Sequence, residues 1–231
     1  MASRIVVSAL MHIAAAASAQ SGKVIQKASV TIKPLIADSA RPPELLHGCP
    51  LEGRATGVHR QESNRAKNRT THPLPADIDS NATLARILAP GYDADRWSEA
   101  RGASIVGYVV EVKRGSRETV NCAATDPPFM DTHIALVEDS TDLSGAGRLI
   151  VEVTPRWRAF EAERGQDWST DTLHHNLLHH WVRVTGWLFW DYEHANAAEH
   201  TRTHAWTWRA TAWEIHPVTE IKICSESPEK C

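Results

Sequence analysis

Long apolar runs, paired-cysteine motifs and the glycine-rich loops of nucleotide enzymes are all missing from this chain. The four cysteines, Cys49, Cys122, Cys224 and Cys231, form no C-x-x-C pair, which argues against a zinc knuckle or a thioredoxin-like motif. No Walker A loop, G-x-G-x-x-G or G-x-S-x-G elbow occurs, so P-loop hydrolysis, dinucleotide binding and esterase chemistry of that type have no support. The contiguous metal motif H-E-x-x-H is absent too. No segment approaches the roughly 20 apolar residues of a membrane span. The formal net charge of −3 gives no general electrostatic help toward nucleic acids or anionic membranes. Phe and Tyr are scarce, three of each, while tryptophan is plentiful at nine.

The composition, 42% apolar and 23% charged over 231 residues, allows one core of useful size. At the N-terminus, Arg4 precedes an apolar run from Ile5 to Ala17, and Ala17-Ser18-Ala19 offers a small-x-small cleavage site. This is the layout of a secretory signal peptide over residues 1–19, with an alanine-rich helix as the plainer alternative. Export implies a secreted or periplasmic protein and makes disulfides reasonable, with three pairings open to four cysteines. Cys224 with Cys231 closes a short loop in the 224–231 tail. Cys49 with Cys122 ties the N-terminal segment to the domain beyond residue 100.

Residues 20–100 read as an irregular segment. Its 44–80 stretch is polar and rich in turn formers, with a short helix expected over 81–88, stopped by Pro90-Gly91. The pattern changes near residue 103. Strands are expected over 104–113, 132–138 and 148–154, from β-branched and alternating residues. Pro155 opens a helix closed by Gly165, and Ser169 or Thr170 caps a second one with Leu173, Leu177 and Leu178 on one stripe. Two more strands come next, 181–190 and 206–215, the latter bending at His216-Pro217 and continuing to 223. Three strands, helix, then two strands match a mainly β, five-stranded OB-type barrel over 101–223, with one or two helices between strands 3 and 4. An α+β sheet with helices on one face is the competing arrangement.

The segment Trp213-Glu214-Ile215-His216-Pro217-Val218 resembles the C-terminal W/L-E-I/L-H-P-V signature of an uncharacterised bacterial family of exported proteins. Similar features recur at Cys49-Pro50 with Lys67-Asn68-Arg69, at Asp131-Thr132-His133 and at Val151-Glu152-Val153-Thr154-Pro155. The last runs from Val184-Thr185-Gly186 to Asp191-Tyr192-Glu193-His194. The resemblance spans about residues 44–223 and lends no catalytic residues.

Polar residues in or beside these strands carry the chemistry. Residues two apart share a strand face, so Asp131 with His133, and Glu214 with His216, each present a carboxylate and an imidazole together. With Asp191 and His194 they form a candidate set for a divalent metal, Zn, Mn or Mg. Convergence would allow a metal-dependent hydrolase, with phosphodiesters as one substrate class, whereas scattered pairs would only fix loops. Glu152 is a further binding candidate, its plainer role being a solvated outward position. His175 and His179 read as polar positions of an amphipathic helix. Trp187 and Trp208 are candidates for an aromatic binding face on the barrel, for an unidentified ligand, against ordinary cross-strand packing. Trp181, Trp187 and Phe189 share one strand face and Leu188 and Trp190 the other. One set must therefore be exposed or covered by the N-terminal segment. The two leading readings are an extracytoplasmic OB-type binding module and a metal-dependent hydrolase; a structural envelope protein is the third.

Overall fold

Five β-branched and aromatic runs pair into one closed sheet, in the order β1-β2-β3-β5-β4. The computed structural model describes residues 41–142, 147–201, 206–225 and 227–231. The expected signal peptide lies outside the described residues. The strands are β1 (Gly102–Arg114), β2 (Thr132–Val137), β3 (Leu149–Val153), β4 (Trp181–Trp190) and β5 (Trp213–Ile223). All neighbouring pairs are antiparallel except β3 with β5, which run parallel. The result is the mainly β, OB-type barrel anticipated from the element order.

Two helices separate β3 from β4. In α3 (Pro155–Glu163) the Thr154 hydroxyl accepts the Trp157 N–H, and Pro155 occupies the first turn, where its missing donor costs nothing. In α4 (Thr170–Leu177) Ser169 caps Thr172 in the same way. Leu173 and Leu177 of α4 join Ile105, Val109, Ile134, Leu136, Val151, Val184, Leu188 and Ile215 in the core, while His174 and His175 stay exposed. His179 lies beyond the end of α4 with φ 62°, so it shares no helix face with His175.

Two expectations need correction. The 44–80 stretch contains α1 (Val58–Lys67), whose buried residues are Asn64 and Lys67, and the short helix expected over 81–88 is α2 (Leu84–Leu88). A helix that buries polar residues leaves no apolar periodicity to read. The last strand begins at Trp213, not at residue 206. Trp190 of β4 pairs with Trp213, and β4 then ends, so residues 206–212 have no strand to pair with. Their backbone bonds go elsewhere: Trp208 N–H to Ala197 and Ala210 N–H to Arg148. Trp206 and Trp208 therefore lie in a loop.

All four cysteines are paired, Cys49 with Cys122 and Cys224 with Cys231. Among the described residues no helix is long and apolar enough to cross a membrane.

Candidate metal centre

The barrel interior takes one face of each strand, so the outer face of β2, β3 and β5 must be covered by something else. Ile134, Val151 and Ile215 belong to the core. Alternation then turns His133, Glu152, Glu214 and His216 outward. Antiparallel register sets His133 opposite Glu152. The parallel register that pairs Ile150 with Glu214 and Val151 with Ile215 carries His216 alongside Glu152. His133 Nε2 lies 3.2 Å from Glu152 Oε1, and His216 Nδ1 lies 3.3 Å from both Glu152 Oε2 and Glu214 Oε2. The peptide bond from His216 to Pro217 is cis.

This outer face is not solvated. Glu152, Glu214 and His216 are buried, and so is Asp131, the residue just before β2. Glu152 thus faces outward, as in its plainer alternative, but is buried rather than solvated. Polar groups of the N-terminal segment form the cover. Lys67 of α1 is buried, ion-pairs with Glu118 at 3.4 Å and lies 5.4 Å from the Phe189 ring. Asn68 donates to the carbonyls of Leu51 and Val120. Asn121, in the loop disulfide-bonded through Cys122, donates to Asp131 Oδ2 at 2.6 Å.

One ligand atom from each of Asp131, Glu152 and His216 lies within 4.8 Å of the other two. Asp131 Oδ1, Glu152 Oε2, His133 Nε2, His216 Nε2 and Asn68 Oδ1 are buried and have no hydrogen-bond partner among the described residues. Orphaned polar atoms inside a protein are costly and uncommon; of these five, His133 Nε2 and Glu152 Oε2 have ion-pair neighbours at 3.2 and 3.3 Å, while Asp131 Oδ1 and His216 Nε2 have none among the described residues. Burial, reinforced by Glu118, pushes the Asp131 carboxyl up to about 6. Burial and the neighbouring Glu214 and Glu118 drive Glu152 well above the carboxylate range. Burial brings His133 down to about 4, leaving a neutral imidazole able to act as a ligand. Burial lowers the Arg158 pKa, with Asp131 opposing, and its guanidinium donates to the carbonyls of Pro128, Met130 and Trp168 and to the Thr132 hydroxyl.

A second group, Asp191, His194 and Glu214, also lies within ligand distance, but its atoms are already occupied. His194 Nδ1 meets Asp191 Oδ2 at 2.5 Å, and Asp191 Oδ1 accepts the Glu193 N–H. Arg209 donates to Glu214 Oε1 at 2.7 Å, while Glu214 Oε2 faces His216. Burial alone would raise Asp191, yet the His194 hydrogen bond and the fields of Lys67 and Arg209 hold it below the usual range. For Lys67, burial is outweighed by Asp191, Glu118, Glu152 and Glu214, which hold its ammonium charged. This group is a satisfied ion-pair network beside the first set and shares Glu214 with its supports.

The two aromatic candidates lie on different elements, Trp187 in β4 and Trp208 in a loop. Trp187 is half-buried: its Nε1 donates to the Thr71 carbonyl, and the Arg69 guanidinium lies 4.9 Å from its ring, so the N-terminal segment covers it in part. Trp208 is 36% exposed, packs edge-on against His194 and has Lys113 5.7 Å from its ring. Of the metal candidates, Asp131, His133 and His216 converge with Glu152, while Asp191, His194 and Glu214 form the neighbouring network. Lys67, Asn68, Glu118, Asn121 and Arg209 were not singled out as site residues from the sequence. The only advance sign was Lys67-Asn68-Arg69, which contributed to the family resemblance. No family model matches the chain, and no curated protein matches it.

Proposed function

We propose that this is an extracytoplasmic OB-type binding module whose ligand is a divalent metal ion, held by Asp131, Glu152 and His216 with His133 beside them. One observation carries the reading: ligand atoms of two buried carboxylates and one imidazole, from Asp131, Glu152 and His216, converge within 4.8 Å, and Asp131 Oδ1 and His216 Nε2 have no hydrogen-bond partner among the described residues. Two carboxylates with imidazole suit Zn²⁺ or Mn²⁺ better than Mg²⁺, which prefers an all-oxygen shell. Glu214, itself held by Arg209, accepts from His216 Nδ1. That contact leaves a lone pair on Nε2 and orients the ring, as outer carboxylates do for ligating histidines. The resemblance to exported proteins, together with two disulfides, supports placement outside the cytoplasm.

A hydrolase acting on phosphodiesters needs an open coordination position and a path for its substrate. Asp131, Glu152 and His216 are each buried, which favours retention of the ion over turnover. Elemental analysis of protein equilibrated with Zn²⁺ or Mn²⁺ and then desalted tests the proposal. About one equivalent of metal is expected per chain, lost in Glu152→Gln and in the His133→Ala/His216→Ala double variant. Equal metal content in the folded Glu152→Gln variant and the parent chain overturns it.

A further inference from the structure

We propose that the Cys49–Cys122 disulfide latches a lid over the metal centre, so that the ion exchanges slowly in oxidised protein and rapidly after reduction. The inference rests on the metal reading above. The lid is the loop 118–124, and each of its holds is visible. Asn121 reaches down to Asp131. Glu118 takes the Lys67 ion pair. Thr119 and Val120 accept from Asn64 and Asn68 of the α1 region, and the Arg54 N–H binds the Thr119 carbonyl. Cys122 is the one covalent hold, tying the loop to Cys49, 73 residues earlier.

The loop is also backbone-strained. Cys122 and Ala123 adopt φ of 54° and 57°, a left-handed conformation disfavoured for side-chain-bearing residues. Such a conformation persists only while its surroundings enforce it. A pocket of about 200 Å³, bounded in part by Leu46, Cys49, Asn121, Cys122, Ala124 and Phe129, lies beside the loop, so an outward shift meets unfilled space. A dithiol breaks the S–S bond: two electrons and two protons go into the Cys49 and Cys122 thiols, and the dithiol becomes its own disulfide. The remaining holds are non-covalent, and the loop then joins the locally opening parts of the fold. In a compartment where disulfides form, the ion is trapped as the latch closes.

The test uses the full chain with Cys224→Ser and Cys231→Ser, which leaves one reducible disulfide. One sample stays oxidised. The other is reduced with a dithiol, capped with iodoacetamide so that its thiols cannot take metal, and desalted. Both are loaded with Zn²⁺. Release into excess chromophoric chelator is followed by absorbance, and the fold by circular dichroism. Release at least about tenfold faster from the capped sample is expected, at similar Zn²⁺ content. Equal rates from two folded samples overturn the latch and leave the metal site standing. No Zn²⁺ in either sample overturns both. If the capped chain unfolds, oxidised Asn121→Ala carries the test. It keeps the disulfide and frees the loop from Asp131, and release no faster than from the parent chain overturns the lid on which the latch depends.

Discussion

Lys67 lies buried among Glu118, Glu152, Asp191 and Glu214, and its charge makes that concentration of carboxylates tolerable. Removing one member of a buried charged group leaves the others uncompensated, so Lys67→Met should cost about 3–5 kcal/mol in denaturant unfolding. His194 presents a different balance. The Asp191 hydrogen bond raises the His194 pKa. A raised imidazole pKa stabilises the fold fully below the unfolded value, about 6.5, and that part fades as pH rises through the folded value. His194→Ala should therefore lose more stability at pH 5.5 than at pH 8.5, as read from unfolding curves at both. An equal loss at the two pH values would mean that the pair is not charge-assisted.

At the scale of elements, alternation along β2, β3 and β5 sorts apolar residues to the barrel interior and acid and imidazole groups to its outer face. The N-terminal segment turns that outer face into a second interior. Trp157 of α3 shows how the segment is fastened: it is fully buried and donates from Nε1 to the Arg69 carbonyl at 2.9 Å. Trp157→Ala should destabilise the protein by about 3–5 kcal/mol and loosen the cover, seen as faster amide exchange across α1. The Cys49–Cys122 bond acts at the same scale. Closing 73 residues contributes roughly 4 kcal/mol by the chain-entropy account. Much of this arrangement was legible beforehand. The limits of β4 were read to the residue, and those of β1 to within two. The start of β5 was not, because Trp206 and Trp208 have strand-like side chains but no strand beside them.

For the whole molecule, the proposed metal centre would couple the barrel to its cover, since Asp131, Glu152 and His216 are buried beside Lys67 of α1 and the loop at Asn121. Metal competes with protons for such a site. With Asp131 raised to about 6 and Glu152 raised as well, Zn²⁺ affinity should fall by at least roughly tenfold per pH unit below 6. Calorimetric titration between pH 5 and 7.5 checks this. A pH-independent affinity would place the ion on other groups.

Strand alternation and turn residues are local properties, so the amino-acid order alone indicated five strands and both crossover helices, with only the start of β5 misplaced. The paired carboxylate–imidazole spacings at Asp131/His133 and Glu214/His216 were local as well, and they were read from the chain. Which of those groups meet depended on register, and the parallel pairing of β3 with β5 is a long-range choice that no spacing encodes. Burial was also decided by tertiary structure. A polar helix carrying Asn64 and Lys67, followed by Asn68, has no apolar stripe, and only its packing against β5 shows that it covers the cluster.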